Sequence, residues 1–246
     1  MNILVCISKV PDTTAKIAFT DNDTAFDESG VQFILNPYDE WYALVRAVEL
    51  TEGGKGKTTV LNVGPKANEP VIRKALAIGA DAAVRVESPA STTGEVARAI
   101  ADYARGESFD LILTGKETID YNGSEVGAMV AELLDLPYVS YASKLDVEGP
   151  VASVQRDIEG GVESLEVDLP AVISAAKGMA EQRIPNMRGI MAAKRKPLQV
   201  VEPAAASAHA RVTKYALPDN KGSVKMVDAE DMDELVRLLH EEAKVI

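Results

Sequence analysis

The chain has 246 residues, a formal net charge of -12 at pH 7, one cysteine and two histidines. That length suits one large α/β domain or two small ones, and the acidity disfavours non-specific binding of nucleic acid or anionic lipid. A lone cysteine excludes a disulfide framework within the chain, and His209 and His240 are too few for a zinc site or a Cys–His nucleophile.

Residues 2–9 are an apolar run that reads as a buried strand. No basic leader or transit segment precedes it, and no apolar stretch nears the ~20 residues of a membrane span, so the cytoplasm is the expected compartment, with a mature organellar form equally compatible. Cys6 falls inside this run and is expected to be a small buried hydrophobe rather than a redox thiol. After a Thr/Asp-rich loop, Asn36-Pro37-Tyr38-Asp39-Glu40 predicts a helix start, with Asn36 as N-cap, Pro37 in the first turn and two acids opposing the dipole. Trp41, Leu44, Val45 and Val48 mark its apolar face, and Gly53-Gly54 its end.

A strand over 58–63 comes next, then a helix whose inner face is Val71, Ile72, Ala75, Leu76 and Ile78. A strand over 82–86, a helix over 93–105 with Val96, Ile100 and Tyr103 inward, a strand over 111–114 and a helix over 126–134 follow. This alternation predicts an α/β domain with a doubly wound, mostly parallel sheet, whose ligands bind beyond the carboxyl ends of the strands at the switch point. Residues 144–147, 151–156 and 163–169 alternate as antiparallel strands, with Gly160-Gly161 as a turn, and 169–175 returns to the main sheet. The domain is expected to close near residue 180. Residues 181–246 then form a loop with the basic run Lys194-Arg195-Lys196, an extended stretch over 203–227, and a terminal helix over 228–244 with Met232, Leu235, Val236 and Leu239 on one face. A long C-terminal arm of this kind often needs a partner chain to order it, the alternative being an arm folded over its own domain.

The strongest chemical signal is the loop from Gly115 to Gly127 between a strand and a helix. Gly123 permits close backbone approach, and the amides of Ser124, Glu125 and Val126 are the unpaired donors of a first helical turn, an anion site. The Ser124 hydroxyl adds a donor, while Glu125 must point away. Ile7-Ser8 and Val63-Gly64 end neighbouring strands and would read a base edge through their backbone; Asn36 faces the same crevice. The loop is neither a P-loop nor a GxGxxG fingerprint, and a Gly/Ser helix start without ligand explains it equally well. No Ser-His-Asp order, nucleophile elbow or metal spacing is present, which favours a binding or carrier role over catalysis.

Val154 to Ser174 reads VQRDIEGGVESLEVDLPAVIS. It resembles the signature of electron-transfer flavoprotein (ETF) β subunits, departing from it only in ending on Ser174 where Thr, Ala or Cys is usual. The resemblance extends over nearly the whole chain through VCISKV at 5–10, the Asn36-Pro37 start, ALAIGAD at 75–81, the 115–127 loop and GIMAAKRK at 189–196. It implies an obligate heterodimer with a larger ETF α subunit that holds most of a redox-active FAD, and a structural AMP lined by Ile7, Ser8, Asn36, Val63, Gly115, Gly123, Ser124, Glu125 and Val126. It implies that Met187, Ile190 and Met191 dock flavin dehydrogenases, such as those of fatty acid oxidation, and that Tyr38 and Asp157 contact the α subunit or its flavin domain. Thr13 replaces a flavin-contacting Tyr of some members. Electrons would pass to an ETF-quinone oxidoreductase or other acceptor. Two alternatives stand beside this: a bifurcating ETF β subunit with a second FAD in the crevice, and a stand-alone nucleotide-binding stress or regulatory domain.

Overall fold

Along β1 (Asn2–Cys6), Ile3 and Val5 enter one helical layer and Leu4 and Cys6 the other, so the strand is buried on both faces, as parallel strands are. The computed structural model describes residues 1–89, 92–204, 210–219 and 222–246; His209 lies outside them. The other main elements are α1 (Asp39–Thr51), β2 (Lys57–Val63), α2 (Glu69–Ile78), β3 (Ala82–Val86), α3 (Thr93–Arg105), β4 (Leu111–Gly115), α4 (Val126–Leu134), β5 (Tyr138–Glu148), β6 (Val151–Ile158), β7 (Gly161–Asp168), β8 (Ala171–Ala175), α5 (Met187–Ala193), β9 (Leu198–Val201) and α6 (Met232–Arg237).

Among the described residues nine strands form one sheet in the order β7-β6-β5-β8-β4-β1-β2-β3-β9. Every neighbouring pair from β5 to β9 along this order is parallel; only β6 runs against both of its neighbours. The helices α1, α2 and α5 cover one face, α3 and α4 the other, so the sheet is doubly wound as expected. The chain steps outward from β1 to β2 and β3, then crosses to the far side of β1 for β4. The switch point therefore lies between the carboxyl ends of β1 and β4. Each fully buried Ile or Leu in this two-faced core stabilises the fold by about 2 kcal/mol.

The structure departs from these expectations at several points. Helix α1 begins at Asp39, with Tyr38 at the N-cap at φ 65; Asn36 and Pro37 lie outside it. The inner face of α3 is carried by the buried Ala97, Ile100, Ala101 and Ala104, while Val96 and Tyr103 pack at its margin. Beyond residue 180 the chain contributes β9 to the domain's sheet, parallel to β3. At the C-terminus Met232, Leu235 and Val236 are exposed and Leu238 is buried, where α6 passes into a π turn, Leu238–Ala243.

Candidate functional site

The floor of the switch-point crevice is Glu40. It is buried in the first turn of α1, and both its oxygens accept from Ser8: Oε2 from the amide at 2.6 Å and Oε1 from the hydroxyl at 2.7 Å. An added Cβ on Gly115 would stand 2.8 Å from Glu40 Cγ and 3.0 Å from its amide nitrogen, so only glycine lets β4 close over this carboxylate. Burial pushes the Glu40 carboxyl up from 4.5 to about 8, with the Ser8 hydrogen bonds opposing and the charges of Asp120 and Asp39 adding. Burial likewise raises Asp39 to about 6, against the pull of Lys116. In the sequence these acids read only as partners of the helix dipole.

Asn36 is fully buried but caps no helix. Its Nδ2 donates to Glu117 O at 3.0 Å and its Oδ1 accepts from Ile119 N at 3.1 Å, while its own amide donates to Ser8 O. It thus clamps the loop after β4 to the end of β1. The capping geometry is lost because the chain turns through the left-handed Tyr38. Replacing Asn36 with alanine leaves a buried donor and acceptor unpaired, at an expected cost of about 2 kcal/mol. Urea unfolding measures that loss, and amide exchange over 116–124 reports the loosened loop; unchanged protection there would contradict the clamp.

The loop from Lys116 to Glu125 is shaped by further side-chain bonds. Lys116 lies 3.2 Å from Glu117, whose Oε2 accepts from the Ser124 hydroxyl at 3.2 Å. The Ser124 hydroxyl therefore faces Glu117, not an open anion site. Glu125 does point away, accepting from Thr93 Oγ1 at 2.7 Å, and Gly123 packs near the same threonine. Glu125 holds the N-cap position of α4 without a side-chain cap, which leaves the first-turn amides without one. Beneath them Thr114 Oγ1 is buried with no hydrogen-bond partner among the described residues, and Gly127 passes so close that a Cβ would stand 2.8 Å from it. Uncapped amides above an orphaned hydroxyl fit an anionic ligand at this turn. Thr114 carried no signal in the sequence beyond that of a strand residue.

The backbone of Ile7 and Ser8 is more heavily engaged than the sequence suggested. Ile7 N donates to Leu61 O at 2.9 Å, Ile7 O accepts from Asn62 Nδ2 at 2.8 Å, and Ser8 N and O are taken by Glu40 and Asn36. Only the second lone pairs of these carbonyls remain for a ligand. Val63 packs with the α3/α4 layer. Ile7, Ser8, Asn36 and Gly115 thus meet around Glu40, and Gly123, Ser124, Glu125 and Val126 form the neighbouring loop and helix start. An open groove of about 810 Å³ lies at the opposite end of the sheet, around Met1, Asp110 and Pro170, away from the carboxyl ends of the strands.

A second surface is the segment over 181–196, fastened to α1 and α2. Trp41 Nε1 donates to Arg183 O, Arg73 donates to Ala193 O and Lys196 O, and Lys196 Nζ donates to Leu76 O, Gly79 O and Ala80 O. Lys196 is therefore a C-cap of α2. So anchored, the segment leaves Ile184, Met187, Ile190 and Met191 exposed, Met187 by 73 %. Tyr38 and Asp157 are exposed as well, Asp157 on β6. Among the described residues no cluster of His, Cys, Asp or Glu is arranged to hold a metal, and no helix is long and apolar enough to cross a membrane.

Residues 23–206 match the Electron transfer flavoprotein domain family. The chain is 35 % identical over 260 residues to the Electron transfer flavoprotein subunit beta of Bacillus subtilis, covering 100 % of both chains. It is 38 % identical over 232 residues to that of Syntrophomonas wolfei, covering 93 % of this chain and 90 % of the relative, and 37 % identical over 209 residues to that of Homo sapiens, covering 82 % of each. With the doubly wound sheet, this places the chain in the electron transfer flavoprotein beta-subunit family, as a subunit of an electron carrier.

Proposed function

We propose that the chain pairs with an ETF α subunit, keeps an AMP in its switch-point crevice and docks flavin dehydrogenases in the cytoplasm, so that their electrons reach a quinone oxidoreductase or other acceptor. The observation that carries the nucleotide is the uncapped first turn of α4 standing over the orphaned Thr114 hydroxyl. The phosphate would take the amides after Glu125 and the space beside Gly123, with the nucleoside toward Gly115, Ile7 and Val63. AMP fits as ballast: it fills a crevice between β1 and β4 whose walls Glu40 and Asn36 help to brace. FAD supplies the redox chemistry when bound. The exposed Tyr38 and Asp157 are placed to meet the α subunit or its flavin domain, which would hold most of the FAD. Met187, Ile190 and Met191 would be the dehydrogenase anchors, an exposed apolar patch on a fastened segment. The chain's part is to bind, brace and dock.

Co-expression with the α subunit tests this. A yellow heterodimer releasing flavin and AMP in equal amounts on denaturation is the expected product. Two flavins and no AMP would favour the bifurcating type, and a stable monomer that binds ATP would favour a stand-alone domain.

A further inference from the structure

The C-terminal arm returns to its own domain at Tyr215. The Tyr215 ring stacks on Phe19 with centroids 5.0 Å apart and planes 13° from parallel. Its amide donates to Asp23 O at 2.7 Å, and Lys214 Nζ lies 3.8 Å from the Asp23 carboxylate. Its hydroxyl meets that of Tyr121 at 3.3 Å. Three segments far apart in sequence converge here: the short ladder of Phe19–Thr20 with Ala25–Phe26, the arm, and the tip of the 116–125 loop.

That loop needs holding. Asn122 and Ser124 both adopt left-handed backbone, at φ 49 and 53, which asparagine tolerates and serine adopts at a cost that surrounding contacts must offset. Asn36 supplies the constraint at the base of the loop. Thr93 holds the loop's far end through Glu125, and at the tip Tyr121 meets the hydroxyl of Tyr215, whose ring Phe19 fixes. We infer that Tyr215 is a positioning residue for the nucleotide loop, a latch that slows the escape of AMP from the crevice. This rests on the AMP reading and goes beyond it: retention depends on an arm residue that touches the loop and not the cradle.

The test is a chase on the intact heterodimer, loaded with radiolabelled AMP and diluted into excess unlabelled AMP. Y215A, which loses the stack and the hydrogen bond, is expected to release label about ten times faster than wild type. Y215F and Y121F, which keep the rings, are each expected to release about three times faster, and the double variant no faster than either, since both remove one bond. The flavin absorption spectrum should not change in any of them. Wild-type release rates from Y215F and Y121F would overturn the latch and leave the AMP site standing. A wild-type heterodimer that retains no labelled AMP would overturn the site and the latch together.

Discussion

Replacing Glu40 with glutamine should make the protein more stable at alkaline pH, not less. The Glu40 carboxyl is held at about 8, well above its ordinary 4.5, chiefly by burial. The folded state therefore binds a proton that the unfolded state has released through the intervening range. The stability this confers is complete below the ordinary carboxylate range and is lost as pH rises through about 8. With about 1.4 kcal/mol for each unit of separation, the loss amounts to a few kcal/mol. The amide of E40Q keeps an oxygen for the Ser8 backbone N–H and offers its NH2 to the Ser8 hydroxyl, so the floor of the crevice stays satisfied. Urea unfolding from pH 5 to pH 9 is expected to give similar values for the two proteins at the acid end and a gap favouring E40Q that widens to a few kcal/mol at the alkaline end. Curves that stay parallel would show that Glu40 carries its charge throughout.

Placing a charge at Met187 should uncouple the protein from its electron donors without disturbing its fold. Met187 opens α5 with 73 % of its surface exposed, and Asn186, whose side chain accepts from Gly189 N at 2.8 Å, sets the start of that helix. M187E removes no packed contact from the core, so unfolding midpoint and flavin spectrum should match wild type. If the residue is a central anchor of the docking surface, burying a carboxylate there costs about 2 kcal/mol, or roughly thirtyfold in apparent affinity for the dehydrogenase. Steady-state assays are expected to show a raised KM for the flavoprotein at nearly constant kcat. An unaltered KM would move the docking site elsewhere on the surface.

How much of this was legible in the sequence depended on whether the signal was local. Helix α3 spans the expected 93–105 because Thr92 and Glu95 form a capping box and Gly106 stops it. Helix α4 and strand β3 also match their expected bounds. Asn36 misled because a cap and a long-range clamp use the same side chain; only the turn at Tyr38 decides between them, and no local pattern shows a tyrosine at φ 65. Strand β9 is short and half exposed, and it exists by pairing with β3, more than a hundred positions earlier in the chain. Glu40 and Thr114 owe their character entirely to what the fold places above them. Strand order alone thus marks the switch point between β1 and β4, while the buried groups beneath it carry no local signal.

One detail of β1 bears on how the protein can be handled. Cys6 is the sole thiol of the chain, points into the α3/α4 layer, and is pushed up in pKa by burial and then by the charge of Glu40. A thiol that does not ionise and is not reached by solvent is inert to alkylating reagents and mild oxidants. Toward maleimides the native chain is in effect cysteine-free. A single cysteine introduced at an exposed position of the 184–191 segment or along the arm would take a fluorophore or spin label cleanly, with no need to strip out the natural one from the centre of the sheet.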